Sequence, residues 1–586
     1  MNPVLLVSFL LALPYWLSAC SYYFDTAPDA AVSHRVEARL ITEEGLPLDT
    51  LSKTPPETVE QALPKFKERQ TQQAGRSLPP AKPDSPAPKP APEASRQLTI
   101  AEARALALEN NLDLQIARID PKIAATQVSE EEAKFDDLIF AKAKFADKNT
   151  PALLQDVVTF TPADPKSALK GQVAKLTAIP QNTESLELDV GVVIPLRTGG
   201  KVTISAPFDS KKQFNGVPGD QYLSALRFSI SQPLLREAGI GNNVAGIRIA
   251  RYEQQAVDVK TRLQAIRVLA AIDRAYWGLY VAWGELDIRR QQYDNAADNL
   301  AMVKRRVAEG LTAAVEINRA EIGVAERMEG LIVAETTLKL RQRQLKLLLN
   351  DPALDMAAPT VLVPQTPPVL ASFNLDREQL ARQALDGRLE LLELELKLAA
   401  DLTKIDYLRN QTLPMFMLDY SYTSLGRDTT SIGNAFGQVF DGEYSDWAVG
   451  LRMEMPLTNE LRRSRLERAV QERMQRLSTR QLRELTVRRE IYDALDQLGQ
   501  NWQRILAARQ NVALAGLNYD AELKQFSEGL RTMTEVLETL TRLGEAQLRE
   551  VRAIGDYQAT LVDLAFATGT VLGHSRVDLG ASPPTP

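Results

Sequence analysis

Two stretches of the 586-residue chain run in step: LTIAEARALALENNLDL at 98–114 and LDREQLARQALDGRLEL at 375–391. At the same offset, Phe135-Asp136-Asp137-Leu138-Ile139-Phe140 falls on Thr412-Leu413-Pro414-Met415-Phe416-Met417, so both copies pass from helix into strand without a gap. Farther on, Glu309-Gly310-Leu311 with Glu316-Ile317 matches Glu528-Gly529-Leu530 with Glu535-Val536. Identity is low, yet order and spacing hold. An internal repeat of this size predicts two similar halves, at 98–350 and 373–573, joined by a linker at 351–372.

Each half contains the same shapes. In the second, Phe416, Leu418, Tyr420 and Tyr422 alternate with Met417, Asp419 and Ser421. Trp447, Val449, Leu451, Met453 and Met455 then alternate with Ala448, Gly450, Arg452 and Glu454. Period two puts an apolar face against a polar one. Strands of about ten residues with charge on the second face suit a barrel that faces lipid outside and water inside; a half-buried strand in a soluble sandwich has the same pattern. The expected strands are 415–424 and 446–457 here, and 135–146 and 186–232 in the first half. There Ile139, Ala141, Ala143 and Phe145 oppose Lys142 and Lys144, and Tyr222, Leu226, Phe228 and Ile230 oppose Arg227, Ser229 and Ser231. Between them lies an extra hairpin. Leu186, Leu188, Val190, Val192 and Ile194 lead through Arg197-Thr198-Gly199-Gly200 to Val202, Ile204 and Ala206. The two glycines supply the positive φ of a tight turn.

Helices of uncommon length follow the strands. No proline interrupts the predicted helices at 242–309 and 459–528, where Ala, Leu, Arg, Gln and Glu dominate. Each is roughly 65 residues, or about 100 Å at 1.5 Å per residue. Return helices are expected at 312–349 and 530–570. In the latter, Leu540, Leu543, Val551, Ile554, Leu561 and Leu564 recur at the 3–4 spacing of a coiled-coil seam. The pattern suggests a hollow cylinder of parallel rods, and one chain has too few strands and rods to close it. An oligomer follows.

Composition narrows the chemistry. Hydrophobic residues make up 44% and charged residues 25%, as in folded protein, and a net charge of −6 offers no basic field for nucleic acid. One cysteine and two histidines leave no disulfide framework, thiolate zinc site or Cys–His dyad for the folded body. The sequence has no P-loop and no metal-ligand cluster; no catalytic residue, cofactor or metal is expected. The single cysteine is Cys20. It follows an uncharged apolar run at 4–17 and the residues Leu17-Ser18-Ala19, which together read as a secretory signal at 1–19. Leu-Ser-Ala-Cys resembles a bacterial lipobox, which implies a lipid-modified Cys20. Residues 20–97 read as linker ending in a proline tract from Pro79 to Pro92, and 574–586 as a tail.

In this combination the chain resembles the TolC-type outer-membrane efflux family over 98–573. The likeness rests on the duplicated opening, on Gln232-Pro233-Leu234-Leu235 and Met455-Pro456-Leu457 closing strands before long helices, on Tyr276-Trp277, and on the turns at Gly310 and Gly529. It implies an α+β membrane protein: a trimer with a shared transmembrane β-barrel continued by a periplasmic α-helical coiled-coil barrel, built from two internal repeats. Four strands per protomer are the family's number, so the extra hairpin either enlarges the barrel or decorates it, and decoration is the expectation. The implied function is the exit duct of a tripartite efflux or type I secretion system in a Gram-negative outer membrane. It would be lipid-anchored, extend into the periplasm, and dock on a periplasmic adaptor (membrane fusion protein) and an inner-membrane RND or ABC pump. By the same resemblance, Gly310, Leu311, Gly529 and Leu530 mark the adaptor-docking turns at the helix tips. Glu316, Arg531, Glu535 and Glu538 then fall at the periplasmic constriction. Independently, rings of charge repeated by symmetry gate ions, and arginine–carboxylate pairs latch a closed state. Solvated helix charge is the plain alternative. A lipid-anchored periplasmic coiled-coil spacer or adaptor without a pore is the rival function.

Overall fold

The structure is a computed structural model and describes residues 29–41, 95–159, 172–213, 220–356 and 360–575. The expected signal segment, Cys20 and the proline tract lie outside the described residues, as does most of the tail. Two compact units emerge. One comprises Ala124–Gln254 and Lys397–Gln475; the other comprises Ala30–Ile123, Gln255–Leu396 and Arg476 onward.

The first unit is organised by a six-stranded antiparallel sheet. Its strands are β2 (Leu138–Thr159), β3 (Gln172–Pro195), β4 (Lys201–Gln213), β5 (Gln221–Pro233), β7 (Met415–Asp428) and β8 (Tyr444–Glu454), in the order β2-β3-β4-β5-β7-β8. The hairpin expected as a decoration is β3 and β4, and it lies inside the sheet. β3 pairs with β2 from Leu138↔Val193 to Thr159↔Gln172, and β4 pairs with β5 from Lys201↔Ser231 to Lys211↔Gln221. Once both its edges are hydrogen-bonded, a hairpin stops being an appendage. β2 and β3, at 22 and 24 residues, also exceed the ten or so expected. Prolines such as Pro151 and Pro180 interrupt the alternation there, so pattern alone hides the extension.

Register sorts the side chains into two faces. Ile139↔Val192, Val192↔Ile204, Ile204↔Phe228, Phe228↔Tyr422 and Tyr422↔Trp447 link one apolar row across all six strands. Phe228 and Tyr420 meet edge to face in the neighbouring pair. Ile139 is 76% exposed, Trp447 71% and Leu451 65%. The other face carries Lys142↔Asp189, Lys144↔Glu187, Arg227↔Thr423 and Asp419↔Gly450. Lys144 pairs with Glu187 at 2.9 Å, and Ser231 donates to Asp419 at 2.5 Å. Connecting β7 to β8 is a helix that the strand pattern did not anticipate; it is numbered below.

Helices dominate the rest of the described residues: α1 (Ala30–Ile41), α2 (Ile100–Asn110), α3 (Leu112–Ala117), α4 (Asp120–Glu132), α5 (Ala245–Ala308) and α6 (Val315–Leu349). After them come α7 (Arg377–Gly387), α8 (Leu389–Gln411), α9 (Ile432–Asp441, between β7 and β8), α10 (Glu460–Ser527), α11 (Met533–Thr568) and α12 (Val571–Ser575). Two segments read as linkers hold structure. α1 lies within 20–97, with Val36 buried and Arg39 3.5 Å from Glu395. β6 (Val361–Pro364) lies within 351–372 and pairs in parallel with β1 (Ser95–Leu98). Four-residue strands show no period, and a two-stranded parallel pair exists only because the folded chain brings them together.

That small sheet is pinned to α5 in the second unit. The Tyr276 hydroxyl donates to the Leu98 carbonyl at 3.1 Å and accepts the N–H groups of Gln365 and Thr366 at 3.0 and 2.9 Å. Trp283 Nε1 donates to the Leu362 carbonyl at 2.7 Å. Beneath lies a core in which Leu98, Leu362, Leu279, Leu345 and Leu349 are buried together. Arg104 and Asp273 form a buried two-point ion pair, Nε–Oδ1 at 2.7 Å and Nη2–Oδ2 at 2.8 Å. Arg388, also buried, donates to both oxygens of Glu390 and to Glu490. Toward the other end of this unit, Ala296, Val303, Ala320, Phe526, Met533, Val536, Leu540 and Leu543 make a second core from α5, α6, α10 and α11. In the α11 seam, Leu540, Leu543, Ile554, Leu561 and Leu564 are buried.

Candidate functional site: the helix-hairpin turns and their charges

α5 and α10 end identically. Gly310 and Gly529 take φ of +73° and +79°, where a side chain is strained. Gly310 N–H reaches the Val307 carbonyl at 3.0 Å and Leu311 N–H the Arg306 carbonyl at 2.8 Å. Gly529 and Leu530 repeat this on Phe526 and Gln525, both at 3.0 Å. These are paired Schellman caps, in which the last carbonyls of each helix find donors. The residue after the glycine commonly folds back onto the helix. Here Leu311 is 63% exposed and Leu530 71% exposed. Two apolar side chains therefore stand outward at the two turns.

The charges near these turns are largely engaged within the chain. Arg531 pairs with Glu535 at 2.8 Å and Glu522 at 3.4 Å, and its Nε also donates to Gln525 at 3.0 Å. Glu535 Oε2 accepts the Thr532 N–H at 2.8 Å, closing the first turn of α11. That backbone bond, with the Arg531 guanidinium beside it, holds the Glu535 carboxyl below the usual carboxylate range. Glu538 pairs with Arg542 at 2.5 Å on an exposed face. Glu316 is buried: Oε1 takes the Arg319 guanidinium at 2.6 Å, and Oε2 has no hydrogen-bond partner among the described residues. Arg531 and Glu535 are thus brought together, whereas Glu316 and Glu538 each hold a different arginine.

The residue that joins the turns lies outside the charges that the sequence pattern singles out. Arg306 Nη1 donates to the Ser527 carbonyl at 2.7 Å, Nε donates to Thr312 at 3.2 Å, and the guanidinium lies 5.5 Å from the Phe526 ring centre. Its signal was present, because Arg305-Arg306 in the last turn of α5 complements the helix dipole. Among the described residues no group of acidic, histidine or cysteine side chains could hold a metal ion. No helix among them is long and apolar enough to cross a membrane.

A six-stranded sheet with one apolar and one charged face, in a chain that also has helices of 64 and 68 residues, gives a fold found in known outer-membrane channels. The fold is shared with a membrane protein from Pseudomonas aeruginosa at 18% identity and a TM-score of 0.58, covering 80% of this chain and 90% of that one. It is shared also with the outer membrane protein VceC of Vibrio cholerae at 15% identity and 0.56, covering 80% and 96%. The Campylobacter jejuni CmeC outer membrane channel gives 14% identity and 0.56, covering 81% and 86%. Residues 380–570 match the family described as Outer membrane efflux protein. No curated protein matches the chain. The resemblance to the TolC-type outer-membrane efflux proteins therefore holds, in the family's sequence pattern over the second half and in the fold. The protein is one of the outer membrane and extends into the periplasm.

Proposed function

We propose that the protein is the outer-membrane exit duct of a tripartite efflux or type I secretion system. It conducts substrate passively from an inner-membrane RND or ABC pump and a periplasmic adaptor. The observation that carries this reading is the sheet: one face is apolar across all six strands and exposed chiefly on β2 and β8, the other is lined by lysine, arginine and carboxylate, in a chain whose residues 380–570 match an efflux family. Backbone groups in lipid must be paired, so the free edges of β2 and β8 need neighbours; a homotrimer supplies them. Three copies of six strands give eighteen. Barrels of about 16–18 strands leave an aqueous channel, so the extra hairpin enlarges the lumen. Cys20 carries the lipid anchor. The outward Leu311 and Leu530 give the adaptor an apolar foothold at each turn.

In this reading Arg531 is the latch, holding Glu535 and Glu522 at the narrow end. Arg531→Glu sets three carboxylates together, and the resting conductance of the purified protein in planar bilayers should rise. Unchanged resting conductance would remove the latch assignment. The rival, a poreless periplasmic spacer, leaves the exposed apolar face of the sheet without a purpose. Fractionation with heat-modifiable gel mobility decides between them: extraction as a soluble periplasmic monomer ends the duct reading.

A further inference from the structure

We infer that α9 is an interfacial helix, seated on the lipid face of the barrel at its outer rim, that inserts Ile432, Phe436 and Phe440 into the bilayer's headgroup–acyl boundary. The inference rests on the barrel reading above. α9 is built as a fixed element. Ser431 caps its start by accepting the Asn434 N–H at 3.2 Å, and Gly442 ends it in the left-handed conformation. One stripe grips the sheet: Ala435 and Val439 are buried, and the Val439 carbonyl accepts Ser424 Oγ at 2.7 Å. A Cβ at Gly426 would lie 1.9 Å from the Ala435 carbonyl oxygen, so the helix touches the strand backbone.

Register identifies the face. Ser424, Gly426 and Ser224 share the parity of Tyr422, Tyr420 and Phe228, which is that of the apolar row. α9 therefore sits on the apolar side of the sheet, one alternation beyond the Tyr422↔Trp447 pair. Tyrosine and tryptophan favour the membrane–water interface. Beside the gripping stripe, at i, i+4 and i+8, Ile432 is 48% exposed, Phe436 42% and Phe440 60%. Asn434, Gln438 and Asp441 occupy the opposite side of the helix. The exposed stripe bears no charge and continues the apolar face of the sheet. Such helices bury their apolar side roughly 5–10 Å into the interface.

The test places a nitroxide at Phe436→Cys, Phe440→Cys or Asn434→Cys in the full chain, reconstituted in phosphatidylethanolamine–phosphatidylglycerol vesicles. The unsubstituted chain, labelled in parallel, is the blank, and Val449→Cys is the control on the apolar face of the sheet. Labels at 436 and 440 should collide with oxygen and exclude a water-soluble nickel chelate, with the preference reversed at 434. Chelate access at 436 equal to that at 434 overturns the inference. So does closure to both reagents, which means protein covers the stripe. If the label at 449 is itself open to the chelate, the barrel reading has failed and takes the inference with it.

Discussion

Arg104→Ala tests the account of the second unit most directly. The substitution removes both hydrogen bonds to Asp273 and the 3.4 Å bond from Nη1 to the Ser575 carbonyl. Asp273 is 0% exposed. Water cannot replace the lost guanidinium without opening the core around Tyr276 and Leu279. Breaking a buried ion pair from one side costs about 3–5 kcal/mol, or roughly two to three and a half orders of magnitude in the folding equilibrium. Removing both partners behaves differently, because no orphaned charge remains. Arg104→Leu with Asp273→Leu should return to within about 2 kcal/mol of the parent. Trp277 and Trp283 belong to this core and report its loss. The assay is guanidinium unfolding in detergent followed by tryptophan fluorescence, read as unfolding rates if refolding fails. A cost below about 1 kcal/mol for Arg104→Ala, or a double variant no more stable than the single, refutes the reasoning.

The remaining predictions concern neighbouring features. Burial, with the Arg104 charge nearby, depresses the His574 pKa, and only Asp273 opposes the shift. The unfolded state then binds more protons, so His574 contributes stability above its unfolded pKa near 6.5 that is lost as pH falls toward the depressed folded value. Unfolding curves between pH 7.5 and 5 should show this loss, and His574→Gln should abolish it; an unchanged slope argues against the assignment. Tyr276→Phe strips the Thr366 N–H of its acceptor, leaves the Gln365 N–H only the Leu98 carbonyl, and should cost about 1–3 kcal/mol in the same unfolding assay. Gly529→Ala forces a side chain into φ +79° and should cost about 1–2 kcal/mol; a neutral result would mean that the turn relaxes to another conformation.

Legibility varied with how far apart the interacting residues lie. Trp447, Val449, Leu451 and Met453 declare one strand face by themselves, because alternation is a property of neighbouring residues. α5 and α10 were legible for a similar reason: no proline falls in 242–309 or 459–528. α9 could have been read, since apolar residues at 432, 436 and 440 lie between a serine cap and a terminal glycine. It was overshadowed by the strands on either side. At the turns, the glycines and charged residues were visible, but the choice of partners was not. Glu316 and Glu535 align in the sequence match around Gly310 and Gly529, yet one is buried on Arg319 and the other closes a cap with Arg531.

By itself the sequence determined periodicity, helix length, the Gly310 and Gly529 turns, and the resemblance that these carry together. Each depends on residues within a few turns or one strand of one another, where backbone geometry converts order directly into shape. Only the tertiary structure decided that β3 and β4 belong inside the sheet, that β1 pairs with β6, that Arg104 meets Asp273, and that α9 lies on the apolar face. Those outcomes join positions that are remote along the chain or lie on separate elements. Which partners meet is settled by the whole folded chain, through burial and hydrogen bonds that no local pattern contains.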